Sequence, residues 1–273
     1  MLRSMFSAVS GLRSHQTMMD VTGNNVSNVN TAGYKASRTT FQETLTQLVR
    51  GGTAGGEGAG GVNPMQLGLG SAVGATDMVF TQGASQTTGR PTDVAIQGDG
   101  FFVVNSGGEE FYTRAGAFSF DSVGNLVTPA GERVQGAVAG GDLTGARVDI
   151  NVPPEEYTDV TIGANGTVTG RRTDDGTLEE LFELAMARFP NNEGLERVGG
   201  GLFRDSPAAG EVIISNAGTE GLGNLQAGTL EMSNVDLAQE FTNLILSQRG
   251  FQANSRTITT SDELLQELVN LKR

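Results

Sequence analysis

The sequence predicts an α+β fold in which N- and C-terminal coiled-coil-like helices bracket a mostly antiparallel β domain. Three observations carry that prediction. Apolar residues recur at alternating spacings of three and four at both extremes of the chain. The stretch between carries short apolar runs broken by turn residues. Glycine supplies 40 of 273 residues, against only 7 prolines, about double its average usage, which fits many tight turns between short strands.

In the first helix Leu2, Met5, Val9, Leu12, Gln16, Met19, Gly23 and Val26 form the stripe. In the last, Leu237, Phe241, Leu244, Gln248, Phe251, Ser255, Ile258, Asp262, Leu265 and Val269 keep the same alternation. Ser233-Asn234-Val235-Asp236 supplies capping side chains and early negative charge, and Lys272 and Arg273 place positive charge at the other end. At 1.5 Å per residue the two helices would be roughly 40 Å and 50 Å long.

The ordinary reading of two such helices is an intramolecular pair that closes a domain. One pair, however, would cover each stripe on one side only, and Gln16, Gln248, Ser255 and Asp262 interrupt the seams. Such stripes suit packing against several neighbours. Isolated helices of this composition are marginal in water, so the ends are expected to become ordered when many copies pack together.

Residues 51–61 read as a flexible, Gly-rich segment. Beyond it, Val94-Ala95-Ile96 and Phe101-Phe102-Val103-Val104 flank Gln97-Gly98-Asp99-Gly100, read as a hairpin turn. Phe118-Ser119-Phe120 and Leu126-Val127 flank Asp121 to Asn125. Val160-Thr161-Ile162 and Thr167-Val168-Thr169 flank Gly163-Ala164-Asn165-Gly166, whose Asn-Gly pair is a strong hairpin signal. Leu178 to Phe189 fits a short helix or a strand. The division is then 1–35 with 233–273 as a discontinuous helical inner-core domain, 36–72 as an extended, Gly-rich linker, and 73–232 as a β-rich outer domain.

Composition excludes much chemistry. There is no Cys, no Trp, a single His (His15) and two Lys (Lys35 and Lys272). A zinc cage of Cys and His, a disulfide and a Cys nucleophile are all ruled out, and neither Lys has a phosphate-loop setting. Gly98-x-Gly100 lacks the third glycine of a nucleotide fingerprint. Asp174-Asp175-Gly176 and Asp121 to Asn125 lack the alternating ligands of a calcium loop. Glu155-Glu156 and Glu179-Glu180 are ordinary neighbours in a chain with 31 acidic residues. No catalytic, cofactor-binding or metal-ligating residue can be nominated, and no cofactor is expected.

The net charge of −13 argues against a nucleic-acid surface. The ends are nearly neutral, so the middle is an acidic body. No window approaches the roughly 18 apolar residues of a membrane span. Met1 to Ala8 lacks a continuous apolar core, so no Sec signal is expected.

Asn24-Asn25-Val26-Ser27-Asn28-Val29-Asn30-Thr31-Ala32-Gly33-Tyr34-Lys35 resists a bland reading. Asn amides compete for nearby backbone groups, so Asn24, Asn25, Asn28 and Asn30 followed by Thr31, Gly33 and Tyr34 read as a helix stop. Gly33 would accept a left-handed conformation there. Amides at this density could also bridge backbone groups of adjacent copies.

That stretch resembles the N-terminal signature of flagellar rod and hook proteins. Ser233 to Asp236 and Gln248-Arg249-Gly250-Phe251-Gln252-Ala253-Asn254-Ser255-Arg256 are similar to the family's C-terminal signature. Thr92 to Val104 and Tyr112 to Phe118 are similar to its β-domain hallmarks. Asn63 to Gly70, Phe80 to Gly83 and Thr87 to Arg90 look more like hook than rod, whereas the length also fits the distal rod protein. The segment around 51–62 fits either a hook linker or a rod-stiffening insert.

The resemblance implies a self-assembling helical homopolymer that forms a tube, with the terminal helices around a central channel and the β domain outside. It implies export through the flagellar type III apparatus and addition beneath a hook or rod cap protein. Other axial proteins would be its neighbours, rod below and hook–filament junction above. The leading expectation is the hook protein, a flexible joint that transmits torque from rod to filament, with the distal rod protein of the basal body as the alternative. A cell-surface β-rich adhesin is the rival class, and a wall-cleaving enzyme a weaker one.

Overall fold

A computed structural model describes residues 2–56, 60–141 and 147–271, with the side chain of Leu2 outside the described set. The expected charges of Lys272 and Arg273 and part of the Gly-rich segment (57–59) also lie outside the described residues. The chain divides into two units: residues 1–27, 37–78 and 236–273 in a helical unit, and residues 28–36 and 79–235 in a β unit.

The helical unit holds α1 (Leu2–Ser27) and α2 (Leu237–Leu271). Asp236 caps α2: its Oδ1 accepts from the backbone N–H of Ala238 at 2.9 Å and of Gln239 at 3.3 Å. The helices run antiparallel, since Gly11 faces Asn254, His15 faces Gly250 and Asn25 bonds Glu240. The two helices therefore do pair within one chain, which the sequence reading had weighed against. What they bury explains the difference. The closed face is small or polar, with Ala8, Gly11, Ser14, Thr22 and Asn25 on α1 and Ser247 and Ser261 on α2. A methyl group on Gly11 would sit 2.6 Å from Asn254 Nδ2, so the backbones approach because side chains are missing there.

Residues 36–72, expected as a linker, carry strands. β1 (Ser37–Glu43) pairs antiparallel with β4 (Ser71–Met78), and β2 (Thr46–Arg50) pairs with β3 (Met65–Gly68). A bridge between Thr53 and Val62 extends the second pair. Much of this unit's strand surface is exposed, including Leu48, Val49 and Met65.

The β unit begins with β5 (Ser85–Thr87), β6 (Val94–Gln97), β7 (Phe101–Ser106) and β8 (Glu109–Thr113). It continues with β9 (Ser119–Phe120), β10 (Leu126–Val127), β11 (Arg133–Val138) and β12 (Val148–Asp149). Next come β13 (Tyr157–Ile162), β14 (Thr167–Arg172), β15 (Leu178–Leu184) and β16 (Met186–Arg188). The last are β17 (Glu196–Gly199), β18 (Leu202–Arg204), β19 (Ile213–Ser215), β20 (Asn224–Ala227) and β21 (Thr229–Glu231). The main sheet runs β13-β14-β15-β11-β7-β8-β18-β17, with antiparallel neighbours throughout.

The hairpins expected at Asp121–Asn125 and Gly163–Gly166 form, as β9–β10 and β13–β14. The segment from Leu178 forms strands rather than a helix, β15 and β16, interrupted at Ala185. The hairpin expected at Gly98–Gly100 does not form. β6 pairs with β20 in a separate two-stranded sheet, while β7 pairs with β8, β11 and β16. The carbonyls of Gly98 and Gly100 both accept from the Arg114 guanidinium, and this redirects the chain from one sheet to the other.

The core of this unit is large and apolar. Phe102, Phe118, Ile96, Leu126, Ile150, Leu184 and Met186 are all essentially inaccessible. Phe101 packs edge-on against Phe189 and Phe203, with ring centroids at 5.9 and 5.7 Å. Burial beside this cluster, reinforced by Glu110 and Asp205, pushes the Tyr112 hydroxyl up to about 12.

Candidate assembly surface and buried ion cluster

Two features stand out for function. One is the outward face of the helices; the other is a charged cluster inside the β unit.

The helical stripe residues are divided by the structure. On α1, Met5, Leu12, Met19 and Val26 are half-buried and Val9 is exposed. On α2, Leu244, Ile258 and Leu265 are half-buried beside the closed face, while Leu237, Phe241, Phe251 and Val269 are exposed. Sequence reasoning missed Phe6, Ile245, Leu246, Leu264 and Leu268, which are also open to solvent; Phe6 is 72% exposed and Leu246 62%. They fall outside a strict three-four stripe, and only a count of all apolar positions around the helix would have found them. One chain thus leaves a large share of the apolar residues of both helices open to solvent.

The signature residues also separate. Asn25 is buried in the helical unit. Its Nδ2 donates to the Ser37 carbonyl at 2.7 Å and its Oδ1 accepts from the Ser37 N–H at 3.0 Å, so the amide imitates a strand partner. Glu240 Oε1 accepts from the same Nδ2 at 3.1 Å. One amide of this stretch is therefore spent on the backbone of its own chain. Asn24 is exposed at the end of α1.

Asn28, Asn30, Thr31, Gly33 and Tyr34 belong to the β unit. Asn28 is half-buried, and Asn30 and Thr31 are exposed. Gly33 has the expected left-handed φ of 69°, but it lies beyond the helix end at Ser27 and serves a close approach. A methyl group there would meet the backbone N of Ala115 at 2.5 Å. The Gly33 N–H donates to the Glu231 carbonyl at 2.8 Å. The Tyr34 ring lies under the Arg197 guanidinium, 4.7 Å from its centroid, and Arg197 Nη2 donates to the Lys35 carbonyl.

Directly after this loop comes a buried ion cluster. Lys35 Nζ lies 2.7 Å from Glu231 Oε1, and Arg114 Nε lies 2.7 Å from Glu231 Oε2. Lys35 and Glu231 are 1% and 2% exposed. Lys35 also donates to the Thr81 carbonyl at 2.9 Å, and Glu231 accepts from the Gly83 N–H at 2.9 Å. Burial pushes the Glu231 carboxyl up, but Arg114 and Lys35 outweigh it and hold the group below its ordinary value. Burial pulls the Lys35 ammonium down further than Glu231 lifts it. One carboxylate shared by two cations leaves each charge hydrogen-bonded, the condition for tolerating charge in a core.

Asn234 completes the clamp: its Oδ1 accepts from the Ala36 N–H at 2.8 Å and its Nδ2 donates to the Val79 carbonyl at 2.7 Å. Chain segments around 28–36, 79–83 and 229–235 are therefore tied together inside the β unit. Sequence reasoning missed Lys35, Arg114 and Glu231. The scarcity of lysine was the available signal for the first.

Among the described residues no group of three or more His, Asp or Glu is placed to hold a metal ion, and no helix is long and apolar enough to cross a membrane.

Residues 5–35 match the family model of the flagella basal body rod protein. Residues 95–170 match that of the flagellar hook protein FlgE/F/G D1 domain, and residues 226–271 that of the flagellar basal body rod FlgEFG protein C-terminal. The flagellar basal-body rod protein FlgG of Bacillus subtilis is 44% identical over 274 aligned positions, covering 100% of both chains. The chain belongs to the flagellar rod and hook protein family.

Within that family, FlgG of Borreliella burgdorferi is 37% identical over 279 positions, again covering all of both chains. The flagellar hook protein FlgE of the same organism is 30% identical, covering all of both chains, but needs 442 positions to align. That hook relative therefore carries long inserts absent here. The family is structural, the chain is a structural subunit of the flagellar axial tube, and the relatives favour rod over hook. The hook preference drawn from Asn63–Gly70, Phe80–Gly83 and Thr87–Arg90 is corrected accordingly.

Proposed function

We propose that this chain is the distal rod subunit of the bacterial flagellum, a straight, stiff segment of the axial tube between motor and hook. The observation that carries the reading is full-length similarity to FlgG rod proteins at 44% and 37% identity without inserts. The hook reading draws on the 30% relative and stays second.

The tube forms by packing of the terminal helices of many copies. Val9, Leu237, Phe241, Phe251 and Val269, with Phe6, Ile245 and Leu246, are the surface that neighbours cover. Met5, Leu12, Met19, Val26, Leu244, Ile258 and Leu265 support it from the seam. Burying exposed side chains of this size stabilises contacts by about 1.5–3 kcal/mol each when fully covered. The β2–β3 pair, with exposed Leu48, Val49, Met65 and Leu67, stiffens the tube by lying on a neighbour. Export proceeds through the flagellar type III apparatus, followed by addition beneath a rod cap protein. Proximal rod proteins lie below and hook subunits above.

The test is deletion of the gene followed by electron cryotomography of the envelope. The expected outcome is a rod truncated inside the envelope, with neither hook nor filament. A complete rod lacking only its external bent joint would establish the hook reading instead.

A further inference from the structure

An open groove of about 490 Å³ runs along the helical unit between α1 and the β1–β4 pair. Phe6, Val9 and Arg13 line one wall and Ala72 and Val73 the other, with serine and threonine hydroxyls between them and an open surface that is mostly apolar. At the far end of α2, Leu264, Leu268 and Leu271 recur at i, i+4 and i+7 and so share one face. They are 52%, 52% and 83% exposed, whereas Ser261 and Leu265 take the side toward α1. Glu263 and Glu267 lie along the edge of that stripe.

The two surfaces complement each other: an apolar trough with a cation, and an apolar ridge with two anions. Among the described residues, none of Arg13, Glu263 and Glu267 has an ion-pair partner. They cannot meet within one chain. The antiparallel register that sets Gly11 beside Asn254 and His15 beside Gly250 places Arg13 beside residue 252. Glu263 and Glu267 are then about 17 Å and about 23 Å further along the helix.

We propose that the α1–β4 groove receives the Leu264–Leu268–Leu271 ridge of a second copy of this chain. The inference rests on the axial-subunit reading and adds the contact by which successive copies engage. It is heterologous, groove to ridge, and so propagates into an open helical array rather than closing a dimer. Glu263 and Glu267 set register by pairing with Arg13, while the leucines supply the burial.

The chain has no cysteine, so introduced thiols are the sole thiols. Cells of the source bacterium would produce two full-length versions together, Val9→Cys and Leu268→Cys, and the assembled axial tubes would be purified and oxidised. A covalent dimer of the two versions is expected, and none from either version alone. Separately, Arg13→Glu is expected to lower the yield of tubes about tenfold, and adding Glu267→Arg in the same chain to restore it. Tubes that contain both versions yet give no mixed dimer, or a charge reversal without rescue, would overturn the docking and leave the axial-subunit reading standing. Absence of the chain from the tubes would overturn both.

Discussion

The two units of this molecule bury opposite kinds of residue. In the β unit the inaccessible side chains are mostly large and apolar, among them Phe101, Phe102, Phe118, Phe203, Ile96, Leu126 and Met186, with the paired charges of Lys35, Arg114 and Glu231 as the exception. In the helical unit they are Ala8, Ser14, Thr22, Asn25, Ser247 and Ser261, while Phe6, Phe241, Leu246 and Leu271 face water. The first unit has the apolar burial that drives autonomous folding. The second uses small and polar residues to bring two helices close and leaves its large apolar residues open to solvent.

The largest effect should come from charging the outward face. Phe251→Asp is expected to abolish assembly, seen as loss of rods by electron microscopy and loss of motility, with the thermal unfolding of the β unit unchanged. Normal rods from that variant would break the division between the two units.

Next is the ion cluster. Glu231→Ala leaves Lys35 and Arg114 buried without their shared carboxylate and should cost about 3–5 kcal/mol, measured by urea unfolding of the purified chain. The wild-type chain should show the same dependence on acid. Because Glu231 has a folded-state pKa below its unfolded value, its contribution is fully present above about pH 4.5 and fades as the pH falls through the folded value. A stability that held constant from pH 5 to pH 3 would remove Glu231 from this role.

A smaller loss is expected at Gly33. The left-handed φ costs any other residue about 1–3 kcal/mol, and the approach of Ala115 adds to it, so Gly33→Ala should lower the melting temperature of the β unit. The smallest effect is at the surface. Arg172 and Glu179 lie 3.3 Å apart but are solvent-exposed, so Arg172→Ala should leave the melting temperature unchanged within error. A marked drop would mean that surface pairs matter here as much as the buried cluster.

Much of this was legible in the amino-acid order. Three-four periodicity set both helices, Asp236 marked the start of α2, and turn residues set the hairpins at Asp121–Asn125 and Gly163–Gly166. These signals are local: each depends on residues a few positions apart. The sequence likewise excluded thiol and zinc chemistry, because the atoms required are missing.

Tertiary structure decided what depends on distant residues. Whether Gly98–Gly100 makes a hairpin was settled by Arg114, which takes both of its carbonyls, and by the pairing of β6 with β20. The meeting of Lys35, Arg114 and Glu231 joins three positions with no local pattern between them. Which side of α1 and α2 closes within the chain was decided by how nearly two backbones can approach, and residues without bulk win that contest. Periodicity records which residues shun water. It does not record whether the surface that shelters them belongs to the same chain or to the next.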